Sequence, residues 1–106
     1  MNTQKFSSPT SESNLKDIIQ NAVQKHQSGE LDEAKFLYKN LLKIQGHFID
    51  DRDYWSNEYY AIVFTNLGTL SEQEGDLDAA IEYYKKALEL KPDYGEVYYN
   101  LGNVFL

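Results

Sequence analysis

Hydrophobic residues recur at intervals of three and four along most of the chain after residue 14. This spacing places them on one face of an α-helix, whereas no stretch alternates with the two-residue period of a strand. Glycine or proline follows most of the periodic segments and predicts where the helices end. The five predicted helices cover residues 15–28, 31–45, 55–74, 77–90 and 95–106. The expected fold class is therefore all-α.

Short motifs recur at fixed offsets along these helices. The tripeptide Asn66-Leu67-Gly68 recurs as Asn100-Leu101-Gly102, at an offset of 34. The segment 29–34 (GELDEA) recurs as 75–80 (GDLDAA), at an offset of 46. The difference between the two offsets indicates one repeat period that is interrupted by an insertion, placed at 49–60. Repeats of this size are helical hairpins, and each is too small to bury a core without a neighbour.

At these positions the sequence resembles the tetratricopeptide repeat family, whose 34-residue hairpins combine Leu-Gly, small, aromatic and proline residues. The residues that support the resemblance are Phe64, Leu67, Gly68, Ala80, Tyr84, Pro92, Tyr98, Leu101 and Gly102. The resemblance implies a solenoid of two hairpins plus one further helix. Its predicted parts are a divergent repeat (15–48), the insertion (49–60), a repeat (61–94) and a truncated repeat (95–106). Residues 1–13 are expected to form a disordered leader before a domain at 14–106.

Composition narrows the possible functions. The chain has 106 residues, 10 of them basic and 17 acidic, and a formal charge of −7. This balance argues against nucleic acid as a ligand, because phosphate binding requires clustered Lys and Arg. No apolar run reaches the roughly 20 residues of a membrane span. There is no cysteine, and no secretory signal is visible, so a cytoplasmic location is predicted.

Motifs for catalysis or cofactor binding are not found. The two histidines, His26 and His47, have no neighbouring residue at a metal-ligand spacing. The acidic segment 50–53 (DDRD) lacks the alternation and the glycine of a calcium loop. We therefore expect no metal, no cofactor and no catalytic activity within these residues.

Binding is the favoured function, because in this family the first helix of each hairpin lines a concave face. The residues that the repeat positions there are Lys16, Ile19, Gln20, Val23, Ile62, Thr65, Asn66, Thr69, Glu96, Tyr99, Asn100 and Asn103. The equivalent amides of Asn66 and Asn100 can each offer a donor and an acceptor to a peptide unit. This arrangement is similar to the asparagine ladder of the O-linked N-acetylglucosamine transferase superhelix. An equally weighted alternative is that each Asn only hydrogen-bonds a neighbouring helix.

Another binding mode of the family, the clamp for acidic chaperone tails, is not expected. Of the five positions that the clamp requires, only Asn66 has the required residue type. Glu96 replaces a cation at one of them and should repel an acidic tail.

Three functional hypotheses follow. The first is a non-catalytic scaffold that binds a protein or an extended peptide on the concave face. The second is a recruiting arm of a larger repeat-bearing enzyme such as a glycosyltransferase, because residues 24–34 resemble the opening repeat of bacterial proteins of that kind; the chain is then expected to be the N-terminal piece of a longer protein. The third is self-assembly through an apolar edge of the last helix formed by Tyr98, Leu101, Phe105 and Leu106.

Overall fold

The computed structural model of the chain describes residues 12–44 and 54–106, with side chains for 14–44 and 57–106. The five helices are α1 (Glu12–Gln27), α2 (Leu31–Ile44), α3 (Tyr54–Gln73), α4 (Leu77–Leu90) and α5 (Gly95–Phe105). These two described ranges contain no strand. The predicted all-α fold is confirmed.

The start of α1 differs from the prediction. The helix begins at Glu12, before the expected start at Leu15. Leu15 is the first fully buried residue of α1, so the hydrophobic spacing marks where the helix becomes buried and not where it begins. The last part of the predicted leader is therefore helical, while residues 1–11 and the segment 45–53 lie outside the described residues.

Both hairpins turn at a glycine in the left-handed backbone region. Gly29 has a φ of 86° and Gly75 a φ of 83°, values that a residue with a Cβ adopts only with strain. The residue after each glycine donates its backbone N–H to a carbonyl five positions earlier, on Lys25 and Ser71, at 2.9 Å in both cases. The equal geometry explains why the GELDEA and GDLDAA segments recur: each encodes the same helix-ending turn.

The core consists of two clusters that share α3. The first lies between α1, α2 and α3, and contains Leu15, Ile19, Ala22, Ala34, Tyr38, Leu41, Tyr60, Val63, Leu67 and Leu70. The second lies between α3, α4 and α5, and contains Phe64, Ala80, Tyr84, Ala87 and Val97. Since α3 contributes to both clusters, it is the central helix, and only a narrow stripe of its surface remains open.

The closest approach between α3 and α4 occurs at Gly68. A Cβ placed on Gly68 would lie 2.6 Å from Cδ1 and 2.8 Å from Cζ of the Tyr84 ring. The Tyr84 ring is fully buried there, and its hydroxyl donates a hydrogen bond to the Glu72 carboxylate. Gly102, which occupies the equivalent position in the next repeat, has no described atom within 4 Å of its Cβ position.

This difference predicts the outcome of matched glycine substitutions. Gly68→Ala should destabilise the fold by about 1–3 kcal/mol, because the methyl group would displace the Tyr84 ring. Gly102→Ala should be neutral or stabilising by up to about 1 kcal/mol, because alanine has the higher helix propensity and the space is open. Urea unfolding followed by circular dichroism measures both, and equal effects at the two sites would contradict the assignment.

Candidate functional site

The open faces of α1 and α3 form a solvent-open depression of about 450 Å³. Its lining residues are Lys16, Ile19, Gln20, Val23, Gln24, Tyr59 and Ile62. All of them belong to the first helices of the two hairpins, as expected for a concave face. Five of the residues predicted for the concave face are thus brought together in one depression, which we call the α1–α3 cavity: Lys16, Ile19, Gln20, Val23 and Ile62.

The floor of the α1–α3 cavity is apolar and is part of the packed interior. Ile19 is only 4% exposed and belongs to the first core cluster. Val23 and Ile62 are half-buried and pack against the same cluster. Because these side chains are held by the core, the cavity exists before any ligand binds, which lowers the entropic cost of binding.

The other predicted binding residues follow the cavity along α3 and α5. Asn66, Thr69 and Asn100 are half-buried, whereas Tyr99 and Asn103 are exposed. The Thr69 hydroxyl donates to the backbone carbonyl of Asn66 at 2.9 Å. Polar groups that can face a ligand therefore continue from the second hairpin onto α5.

Thr65 is an exception, and the prediction that it lies on the concave face is wrong. Its side chain is 1% exposed, and its hydroxyl donates to the carbonyl of Ala61 at 2.7 Å. The reason is that α3 packs on two sides, so fewer of its residues remain open than on a helix with one buried face.

A hydrogen-bonded network lies behind Asn66 and joins three helices. The His26 Nε2 is 2.8 Å from Oε1 of Gln73, and its Nδ1 is 3.4 Å from the Tyr38 hydroxyl. With the neutral tautomer that donates to Gln73, Nδ1 accepts from Tyr38. The Asn66 side chain lies close to the same Tyr38 hydroxyl.

Two effects act on the pKa of the Tyr38 hydroxyl. Burial raises the pKa to about 12, while hydrogen bonding to the Asn66 side chain lowers it. The half-buried Asn66 side chain therefore lies next to a buried polar group as well as at the surface. Contact with a neighbouring helix and contact with a ligand are not mutually exclusive for this residue.

The repeat-signature residues divide into two groups. Those of the α3–α4 hairpin are buried where the helices meet: Phe64, Leu67, Gly68, Ala80 and Tyr84. Those after it are partly or largely exposed: Pro92, Tyr98, Leu101 and Gly102. Tyr98 is 55% exposed, and its hydroxyl donates to the Pro92 carbonyl at 2.9 Å. The second group is more open because no described helix covers the far side of α5.

Two lining residues were missed at the level of sequence. Tyr59 precedes Ile62 by three residues and Gln24 follows Gln20 by four, so helical spacing alone could have placed both on this face. The His26 network could not be predicted from helical spacing, since its partners are 12 to 47 residues apart along the chain.

The electrostatic character of the face changes along its length. Lys16 is exposed at the α1 end and makes no ion pair with any residue that the structure describes. Glu96 is exposed on α5 at the other end.

The described residues contain no group of three side chains suited to a metal ion, and none of their helices is long and apolar enough to span a bilayer.

Successive helical hairpins with this turn geometry and this close glycine contact define an α-helical repeat protein. Residues 73–106 match the family model described as a TPR repeat. This segment is a tetratricopeptide repeat, and the resemblance deduced from the sequence is confirmed there. No solved structure matches the chain significantly.

Several curated relatives share one description, probable UDP-N-acetylglucosamine–peptide N-acetylglucosaminyltransferase SPINDLY. The protein from Eustoma exaltatum subsp. russellianum is 49% identical over 41 residues, 39% of this chain and 4% of its own length. That from Hordeum vulgare is 42% identical over 50 residues, 47% of this chain and 5% of its own length. That from Arabidopsis thaliana is 48% identical over 42 residues, 40% of this chain and 5% of its own length. The similarity thus covers a small fraction of these relatives.

Buried tyrosines predict loss of stability at high pH. The pKa of Tyr38 is about 12, and burial also raises the pKa values of Tyr60 and Tyr84. An unfolded tyrosine titrates near 10, so between about pH 10 and 12 the unfolded chain releases protons that the folded chain retains. The free energy of unfolding should therefore be unaffected by these groups below pH 10 and should fall as the pH rises above it.

Chemical unfolding at several pH values from 8 to 12 measures this dependence. Tyr38→Phe should flatten the decline, and Tyr99→Phe, at an exposed position, should leave it unchanged. A decline that is identical in all three proteins would contradict the role of Tyr38.

Proposed function

We propose that this chain is a non-catalytic recognition module that binds an extended segment of a partner protein along the exposed faces of α1, α3 and α5. The observation on which the proposal depends is the equivalent placement of Asn66 and Asn100, one repeat apart and both half-buried. The tetratricopeptide assignment of residues 73–106 supports a role in protein binding. The absence of a membrane-spanning helix among the described residues is compatible with the predicted cytoplasmic location.

The chemistry of an amide explains why two such residues suit an extended chain. A peptide unit presents one N–H and one C=O, and an asparagine side chain can pair with both. The Asn66 side chain is half-buried beside Tyr38, so less rotational freedom is lost when it binds. Recognition through the backbone tolerates many sequences, which suits a module for protein substrates or partners of varied sequence.

The double variant Asn66→Ala, Asn100→Ala tests this proposal. Peptides are first selected from a displayed library of random dodecapeptides with the wild-type chain, and their affinities are measured by fluorescence anisotropy. Loss of four hydrogen bonds, each contributing about 0.5–1.5 kcal/mol, amounts to about 2–6 kcal/mol and should weaken binding by about 30-fold or more.

The matched control is Asn21→Ala, Asn40→Ala, since Asn40 lies on α2 and Asn21 is not among the residues that the repeat places on the concave face. It should retain wild-type affinity. Undiminished binding by the Asn66 and Asn100 variant would refute the ladder, provided that its circular dichroism spectrum is unchanged.

A second candidate function is that of a recruiting arm of a larger enzyme. The similarity to relatives described as peptide N-acetylglucosaminyltransferases favours it. In that case the groove would deliver protein substrates to a catalytic domain elsewhere in the protein. Sequencing the gene on both sides of this coding segment tests the idea. Further helical repeats followed by an α/β domain would support it, and a reading frame that encodes no catalytic domain would exclude it.

A third candidate is self-assembly through the far face of α5. Tyr98 is 55% exposed and Phe105 70% exposed, Leu106 is fully exposed, and Leu101 lies half-buried between them. An exposed apolar strip of this kind is typical of an interaction surface. Burying it against a second copy would also fill the open space beside Gly102.

Phe105→Glu should therefore shift the chain toward the monomer, because a carboxylate in the contact is costly to desolvate. Phe36→Glu is the control, as Phe36 is 62% exposed but lies on α2. Sedimentation velocity from 10 to 500 µM should show association of the wild type and the control but not of Phe105→Glu. A wild-type chain that remains monomeric throughout would rule out self-assembly.

A further inference from the structure

We propose that the α1–α3 cavity is an anchor subsite, which accepts one bulky apolar side chain of the bound segment and favours an acidic residue beside it. This inference rests on the peptide binding proposed above and specifies which peptides are bound. The occupant is a partner segment that combines a large aliphatic or aromatic residue with Asp or Glu one or two positions away.

The shape and lining of the cavity determine the apolar part of this preference. A volume of about 450 Å³ lies within the roughly 300–1,000 Å³ of small-ligand sites. The floor consists of Ile19, Val23 and Ile62, and Tyr59 forms one wall. Water over such a floor gains little from hydrogen bonding, so its replacement by an apolar side chain is favourable. A polar or small side chain would leave water molecules in contact with the apolar floor.

The distance along α3 connects this subsite to the amide that would hold the peptide backbone. Ile62 precedes Asn66 by one helical turn, which corresponds to roughly 6 Å along the axis. An extended peptide advances about 3.3 Å per residue. Ile62 and Asn66 are therefore close enough for one extended segment to reach both, with the anchor residue within about two positions of the peptide unit at Asn66. The anchor contacts the cavity through its side chain and Asn66 pairs with backbone groups, so the two contacts do not compete for the same atoms.

Charge complementarity determines the acidic part of the preference. Lys16 lines the cavity and forms no ion pair with the described residues. By contrast, Lys35 Nζ lies 2.8 Å from the Glu74 carboxylate, and Lys91 Nζ lies 3.0 Å from that of Glu58. Several other lysines are also without an ion pair to any described residue, but Lys16 is the one that lines the cavity. An acidic residue next to the anchor would reach the ammonium group of Lys16.

At the opposite end of the face the preference is reversed. Glu96 is exposed on α5, so an acidic side chain near Asn100 would be repelled there. The acidic residue is therefore expected on the α1 side of the apolar anchor, and this fixes where the segment lies along the groove.

The library selection described above gives the first readout, because the selected peptides should share a bulky apolar residue with Asp or Glu within two positions. In one selected peptide, replacement of the anchor by Ala should weaken binding by about tenfold or more. The protein variant Gln20→Trp places a ring in the cavity from an exposed position. It should weaken binding of the parent peptide and abolish the difference in affinity between the parent peptide and the peptide with Ala at the anchor.

The charge is tested by Lys16→Glu, with Lys86→Glu as a control of equal charge change at an exposed position on α4. Lys16→Glu should weaken binding of the acidic peptide about two- to fivefold and strengthen binding of a peptide in which the acidic residue is replaced by Lys. Since exposed charges are screened by salt, the effect should shrink at high NaCl concentration. Lys86→Glu should leave both affinities unchanged.

The outcomes separate this inference from the proposed function. Peptides that require Asn66 and Asn100 but show no preference for an apolar or acidic residue would overturn the anchor subsite and leave the proposed function intact. Anchor-dependent binding that ignores both asparagines would support the subsite and overturn the ladder. Failure to select any peptide would overturn both.

Discussion

The contact between Gly68 and the ring of Tyr84 determines how the helices are arranged. Because Gly68 has no side chain, the ring packs directly on the backbone of α3, and α4 lies close to α3 on the side opposite the first hairpin. α3 is thereby buried on two sides and joins two clusters that would otherwise be separate small cores. The stripe that remains open on α3 contains Ile62 and Asn66, so the concave face consists of what this packing leaves uncovered.

Equivalent positions of the two hairpins lie 46 residues apart, the offset between the two glycine turns. Ala22 is equivalent to Gly68 and Tyr38 to Tyr84. Both tyrosines are fully buried, but their hydroxyl groups have different partners. The hydroxyl meets His26 in the first hairpin, whereas in the second it donates to the carboxylate of Glu72. A carboxylate only accepts, whereas the neutral imidazole accepts from Tyr38 at Nδ1 and donates to Gln73 at Nε2. The polar network of the first hairpin therefore reaches α3.

Much of the fold was predictable because its signals are local. The bounds of α4 follow from a glycine turn before it and Pro92 after it, and the prediction of 77–90 is confirmed. The burial of Thr65 was not predictable from spacing, because it depends on a second helix packing on α3 from the other side. Likewise, five of the seven lining residues of the α1–α3 cavity belong to α1 and two to α3, so its shape depends on contacts between helices that are far apart along the chain. Spacing within one helix identifies a face but not what lies opposite it.

The charges of the concave face are better suited to positioning a ligand than to holding it. The chain has a formal charge of −7, yet Lys16 stands at one end of this face and Glu96 at the other. A uniformly charged segment would be attracted at one end and repelled at the other, so the electrostatic contributions would largely cancel. Exposed pairs contribute at most about 1 kcal/mol each in any case. In the proposed binding mode, affinity would therefore come from the amides and the apolar floor, which do not depend on salt, while the two charges would select the position in which both can be engaged.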